Sequence, residues 1–268
     1  QTLLTALVSL KALRRDPASG AYTNSPNTAS FLVQGSKLYY GDYLRYQMGR
    51  QFYHRMGALP DVMTSGEAPS YQEWFSDPHT ARTYTHAQHN GSVATAKYLV
   101  RKKVDLGGAR SMLDVGGGSG AFSYVFCGSQ PELTSTVLEL PGVCETGERI
   151  RHADRPATAA PSHHRRAPPG VCARPCCLRA EQPDEIQRRV SFVPLDATSP
   201  DWPVAAGAYD VVLMSYICGS VPESMIRSLY ANAYEALAPG GRLLVHDFMA
   251  RPPTPSHETA WHSDAALR

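Results

Sequence analysis

Residues 111–122 read Ser111-Met112-Leu113-Asp114-Val115-Gly116-Gly117-Gly118-Ser119-Gly120-Ala121-Phe122. This is a short apolar strand, a glycine-rich turn and the start of a helix. Glycines let a backbone bend sharply and come close to a ligand, because no Cβ intervenes. The helix that follows offers unpaired N–H groups and a positive dipole end. The stretch therefore predicts a strand–turn–helix that receives a polar or anionic ligand. The spacing Gly116-x-Gly118-x-x-Ala121 also fits a dinucleotide fingerprint. The surrounding elements must decide between ligands.

Downstream, strands alternate with helices, the pattern of a parallel α/β sheet. Thr134 to Leu140 reads as the second strand, Pro141-Gly142 ends it, and Val143 to Arg151 begins a helix. Val190 to Leu195 is the third strand. Tyr209 to Tyr216, a near-continuous apolar run, is the fourth and suits a centre strand covered on both faces. Glu223 to Leu237 is a helix, Ala238-Pro239-Gly240-Gly241 a sharp turn, and Arg242 to Asp247 the fifth strand.

The alternation breaks over 152–179, which is rich in Pro, Ala, Arg, His and Cys. Helix–strand connections in such folds usually take roughly 2–6 residues. The segment reads as a low-order insert, consistent with translated intron sequence. It carries His163, His164, Cys172, Cys176 and Cys177, but no paired Cys-x-x-Cys spacing, so no metal site is assigned. Residues 251–268 read as an irregular tail.

Upstream, residues 3–15 read as a helix stopped by Asp16-Pro17. A turn and short strand or hairpin follow over 19–26. Asn27 to Val33 reads as a short helix and Leu38 to Met56 as a longer one. Helices around a small hairpin suggest a winged-helix-like region over 1–65. Lys and Arg do not cluster on one element, so its apolar helices point to packing or dimerisation rather than to nucleic acid. Residues 66–105 connect this region to the sheet. Within them Tyr71, Trp74 and Phe75 read as a buried aromatic hinge, and 81–102 as a helix broken near Asn90-Gly91.

Composition narrows the class. The chain has 268 residues, 43% hydrophobic, with a net charge of +2, so it can bury a core and shows no bias toward a polyanion. No apolar run reaches membrane-spanning length. Leu3 to Leu10 lacks the basic flank of a signal segment. Six cysteines do not make a disulfide scaffold in a chain of this length, which points to the cytoplasm. Starting at Gln1, the sequence reads as a fragment.

In a parallel sheet, ligands lie at the carboxyl ends of the strands, near the reversal of strand order. Three acids sit there. Asp114 ends the first strand. Glu139 ends the second, about 20 residues beyond the glycines, where an acid can accept bonds from ribose hydroxyls. Asp196 ends the third. Each alone could be a turn cap; together, beside a glycine turn, they indicate a cofactor pocket.

Leu113-Asp114-Val115-Gly116-Gly117-Gly118-Ser119-Gly120, Leu138-Glu139-Leu140-Pro141, Leu195-Asp196-Ala197, Tyr209-Asp210-Val211-Val212-Leu213 and Leu237-Ala238-Pro239-Gly240-Gly241-Arg242-Leu243-Leu244 follow one another in this order. The set resembles the S-adenosylmethionine-dependent O-methyltransferases, in particular the plant and fungal small-molecule group that includes the caffeate and acetylserotonin enzymes. The resemblance implies an α/β, Rossmann-like class I methyltransferase sheet over 106–250, preceded by a mostly helical, winged-helix-like dimerisation region. It implies a homodimer, with S-adenosyl-L-methionine as cofactor and a hydroxyl of a small, aromatic molecule as methyl acceptor. Gly116, Gly118 and Gly120 would line the methionine and ribose part of the cofactor. Glu139 would hold the ribose, and Asp196 and Ala197 the adenine. Ser92 and Ser215 fall at two further cofactor-contact positions.

Two departures stand out. Where the plant enzymes carry a His general base after the fourth strand, this chain has Gly219. His86, His89 and His246 are replacements by chain position only. The sequence also stops before the helix and hairpin that complete the family's sheet. That leaves the fifth strand as an exposed edge and predicts a chain of poor stability on its own. The alternatives to a working O-methyltransferase are a catalytically impaired cofactor-binding or dimerisation protein and a nicotinamide-dependent oxidoreductase.

Overall fold

The computed structural model describes residues 1–36, 38–67, 70–102, 104–152 and 183–249. The expected insert, apart from the helix-terminal His152, and the expected tail lie outside the described residues.

The first part is mostly helical. Helix α1 (Thr2–Ser9) precedes an antiparallel hairpin of β1 (Leu13–Arg15) and β2 (Tyr22–Asn24). The helix expected over 3–15 thus stops early. Lys11 adopts a left-handed φ of 59°, and the Ala12 N–H closes back on the Leu7 carbonyl at 2.9 Å. That arrangement satisfies an end carbonyl and turns the chain away. Helix α2 (Pro26–Phe31) is capped by the Ser25 hydroxyl, with proline in its first turn. A π-helical run, Tyr43–Phe52, passes directly into α3 (Tyr53–Gly57), and α4 (Leu59–Ser65) follows. The connector contains one ordered turn, α5 (Tyr71–Trp74), fixed by a reciprocal capping box between Ser70 and Glu73.

Helix α6 (Pro78–Lys102) runs unbroken through Asn90-Gly91, against the expected break. A Cβ on Gly91 would come within 2.8 Å of the Tyr40 ring. The glycine is there so that Tyr40 can pack, not to bend the helix.

The sheet part comprises β3 (Ser111–Val115), α7 (Ala121–Ser129), β4 (Thr134–Glu139), α8 (Pro141–His152), α9 (Asp184–Arg188), β5 (Val190–Pro194), β6 (Tyr209–Ser215), α10 (Glu223–Ala236) and β7 (Leu237–His246). Its five strands are parallel, in the order β5-β4-β3-β6-β7. Successive side chains on a strand face opposite sides, and both sides here are apolar. Met112, Val137, Val211 and Leu213 meet Leu99 of α6 and Phe122 and Phe126 of α7. Leu113, Val115, Leu138, Val212 and Met214 meet Leu229, Ala233 and Ala236 of α10. Covering both faces is what makes the strands near-continuously hydrophobic.

The Pro239-Gly240-Gly241 segment lies inside β7 as a register shift: Tyr209 pairs with Leu237, but Val211 with Arg242. Gly240 has φ +79°, and a Cβ on Gly241 would approach the Ala238 carbonyl to 2.9 Å. The expected turn is therefore a bulge in one longer strand. Among the described residues no strand pairs with the outer side of β7.

Candidate active site

Strand order reverses on either side of β3, whose neighbours β4 and β6 connect outward in opposite directions. A cleft of about 1960 Å³ opens over this point, the position expected for a ligand in an open α/β sheet. Its floor is the glycine turn and the ends of β4, β5 and β6. Its other wall is α6 and the Tyr39–Phe52 stretch.

Seven of the eight residues named from sequence line this cleft: Ser92, Gly116, Gly118, Glu139, Asp196, Ala197 and Ser215. Gly120 does not. It sits under the turn with φ +75°, and a Cβ there would press on Phe192 and Tyr124 at 3.1–3.2 Å, so it serves helix–sheet packing. Gly117 and Ser119 take its place in the lining. A Cβ on Gly117 would lie 2.6 Å from the buried Asp114 carboxylate, whereas Gly118, at φ +57°, meets nothing within 4 Å. The turn is thus tight underneath and open above.

Glu139 braces the turn. It accepts the Gly118 N–H at 2.9 Å and the Leu140 N–H at 2.7 Å. Burial pushes its carboxyl up to about 7, with those two bonds opposing and Asp114 and Asp196 adding to the rise. Asp114 lies below, fully buried and raised to about 6 by burial. One of its oxygens accepts the Ser123 hydroxyl at 2.7 Å, while Oδ1 has no hydrogen-bond partner among the described residues. Asp196 accepts the Thr198 N–H at 2.9 Å and hydroxyl at 2.7 Å. The Ala197 carbonyl accepts the Trp202 indole N–H at 3.0 Å.

The other end of the cleft is aromatic. Tyr40 and Tyr43 stack at 4.6 Å. Tyr216 lies 5.4 Å from Phe248 and 4.6 Å from the His246 ring. Tyr216 has a left-handed φ of 59°, a strained state for a bulky residue, and its N–H is held by the His246 carbonyl at 2.8 Å. Tyr71 and Phe75 also line the cleft, half-buried against Tyr84. The aromatic hinge is therefore also part of the wall.

None of the three replacement histidines lines the cleft. His246 Nδ1 lies 3.0 Å from the Ser215 hydroxyl, and His89 is buried against Ser119. At Gly219 the neighbour is a carboxylate. Asp247 Oδ2 accepts the Gly219 N–H at 2.9 Å, and Oδ1 accepts the Phe248 N–H at 2.8 Å. Sequence reading missed Asp247, although the strand-end rule that found Glu139 and Asp196 applies equally after β7. Among the described residues no His, Cys, Asp and Glu cluster could hold a metal ion.

A family model described as a methyltransferase domain matches residues 73–266. The chain belongs to this methyltransferase family. The match assigns the glycine turn to a methyltransferase domain rather than to a nicotinamide oxidoreductase. The chain is 29% identical over 261 residues to the N,N-dimethyltransferase OxyT of Streptomyces rimosus, covering 94% of this chain and 64% of that protein. It is 28% identical over 257 residues to the 3-hydroxy-5-methyl-1-naphthoate 3-O-methyltransferase of Streptomyces sahachiroi, covering 93% and 63%. It thus spans less than two thirds of either relative's length. The fold is also that of human N-acetylserotonin methyltransferase, solved in complex with SAM, at a TM-score of 0.62 and 20% identity over 91% of this chain and 64% of that one. The methyltransferase domain includes every strand of the sheet, α6 and the whole cleft floor.

Proposed function

We propose that this chain binds S-adenosylmethionine and directs its methyl group to a hydroxyl of a small aromatic molecule. The observation that carries the reading is the cleft floor: a glycine turn with carboxylates at the ends of successive parallel strands. Glu139 would accept the ribose hydroxyls, and Asp196 with Ala197 would meet the adenine. Ser92, Gly116 and Gly118 would surround the amino-acid end, with Ser215 beside it. The donor set fits the group, since the acids that would hold neutral hydroxyls and amines are held in place by backbone N–H groups. When bound, the cofactor supplies an electrophilic sulfonium methyl.

The chain's own residues then have two tasks. The aromatic wall of Tyr40, Tyr43, Tyr216 and Phe248 orients a flat acceptor. Positioning of this kind can reach effective molarities of order 10⁵ M or more. The acceptor proton has to leave. With glycine at 219, Asp247 is the carboxylate on that side of the cleft to receive it. The name of the first relative, an N,N-dimethyltransferase, supports a second reading in which the acceptor atom is an amine nitrogen. An amine proton would leave by the same route.

Calorimetry with S-adenosylmethionine, S-adenosylhomocysteine and NAD tests the cofactor. Binding of the first two and not the third is expected; binding of NAD alone would sink the proposal. Turnover of a panel of phenols and arylamines then fixes the acceptor atom. Cofactor binding with no turnover across that panel would favour a non-catalytic role. The exposed Leu3, Leu10, Tyr53 and Met63 of the helical region support a homodimer that buries this surface, which light scattering would measure as twice the chain mass.

A further inference from the structure

Helix α6 and the glycine turn are separate elements that form facing parts of the cleft. One side-chain bond joins them: His89 Nδ1 lies 2.8 Å from Ser119 Oγ, across 30 residues of sequence. Both partners are buried, with 4% and 5% of their surface exposed. Ser119 lines the cleft between Gly118 and the start of α7. The turn is therefore pinned at two successive residues from two sides. Glu139 of β4 holds the Gly118 N–H, and His89 of α6 holds the Ser119 hydroxyl. Three residues along α6, on the same side of the helix, Ser92 enters the cleft lining.

We infer that His89 is a positioning residue for the cofactor site, fixing the glycine turn at the spacing from Ser92 that the ligand's amino-acid end requires. The inference rests on the proposed cofactor. Burial keeps the imidazole neutral, lowered to about 4. A neutral ring has one N–H and one acceptor nitrogen, and a serine hydroxyl can complement either. The bond therefore persists through the physiological range. Removing the ring leaves a buried hydroxyl without a partner. The hydroxyl then turns to the nearest polar alternative, the cleft, and the turn keeps only its Glu139 brace.

The test is a double-mutant cycle on the full chain, read by calorimetric titration with S-adenosylhomocysteine and by apo thermal melting. His89→Ala is expected to weaken S-adenosylhomocysteine about tenfold or more. Ser119→Ala should lose a similar amount, and the double variant no more than either single one. His89→Asn, whose amide reaches the place of Nδ1, should recover most of the loss. A packing role alone would lower the melting temperature and leave the affinity of folded protein unchanged. Affinity within twofold of wild type in His89→Ala, or losses that add in the double variant, would overturn the inference. Should His89→Ala fail to fold, His89→Asn with wild-type affinity beside a weakened Ser119→Ala supports the inference, and Ser119→Ala within twofold overturns it. A wild-type chain that does not bind S-adenosylhomocysteine sinks the cofactor proposal itself. Wild-type binding with indifferent variants sinks only the role of His89.

Discussion

The two ends of the cleft are built differently. At the β3–β4 end, the polar groups of the turn are fixed by hydrogen bonds. Glu139 is tied to two N–H groups, Gly118 is tied to Glu139, and Ser119 is tied to α6. At the β6–β7 end the walls include rings and one carboxylate, Asp247, which accepts the Gly219 and Phe248 N–H groups. The first end suits a ligand that never changes. The second is a surface whose shape depends on a few side chains. Under the proposed function the rigid turn would take the cofactor and the aromatic wall the acceptor, a division that lets the acceptor change while the cofactor stays the same.

This contrast can be broken experimentally. The largest effect is expected at the tightest point. Gly117→Ala puts a methyl 2.6 Å from the Asp114 carboxylate, and should cost about 3 kcal/mol of stability by overpacking, measured by denaturant unfolding. An unchanged midpoint would show that the turn is looser than its geometry. Next, Asp247→Asn should lower methyl transfer about a hundredfold, the lower range for a lost proton acceptor, while leaving S-adenosylhomocysteine affinity within twofold. Loss of both together would mean the two ends are not independent. Glu139→Ala should do the reverse, weakening S-adenosylhomocysteine about thirtyfold through a lost charge-assisted contact.

The smallest effect is on pH. Glu139 is raised from 4.5 to about 7 in the folded chain. Its protonated form is therefore favoured by folding, and the stability this brings is present at low pH and lost as pH rises through the folded value. His89 works oppositely, losing stability as pH falls from 6.5 toward about 4. From pH 6.5 to about 8 the carboxyl should lower apo stability by about 1 kcal/mol, over and above the contributions of His89 and Asp114, which also titrate near this range. Glu139→Gln should flatten that decline; a slope that persists in the variant would assign it elsewhere.

Local signals carried most of the fold. The strands, the glycine turn and the acids at strand ends are written in short stretches, and seven of eight named residues reached the cleft. What failed depended on partners far along the chain. Gly91 looked like a helix breaker because its reason, Tyr40, lies some fifty residues earlier. Gly120 looked like a ligand contact because the Phe192 ring that crowds it belongs to β5. The Pro239-Gly240-Gly241 turn is a bulge because β6 pairs on both sides of it. His89 was considered for proton transfer, yet its partner is a serine in the turn. These are tertiary facts that no local pattern encodes.

Tyr216 has a consequence for how such a site can be remodelled. A left-handed backbone at a bulky residue costs about 1–2 kcal/mol, so its ring is aimed by the main chain and not by free choice of rotamer. β-Branched side chains are poorly tolerated in that conformation. The vocabulary available at position 216 is consequently short, and under the proposed function new acceptor preferences are more accessible by exchanging Phe248 or Tyr43. The cleft has one fixed panel, and adaptation has to proceed around it.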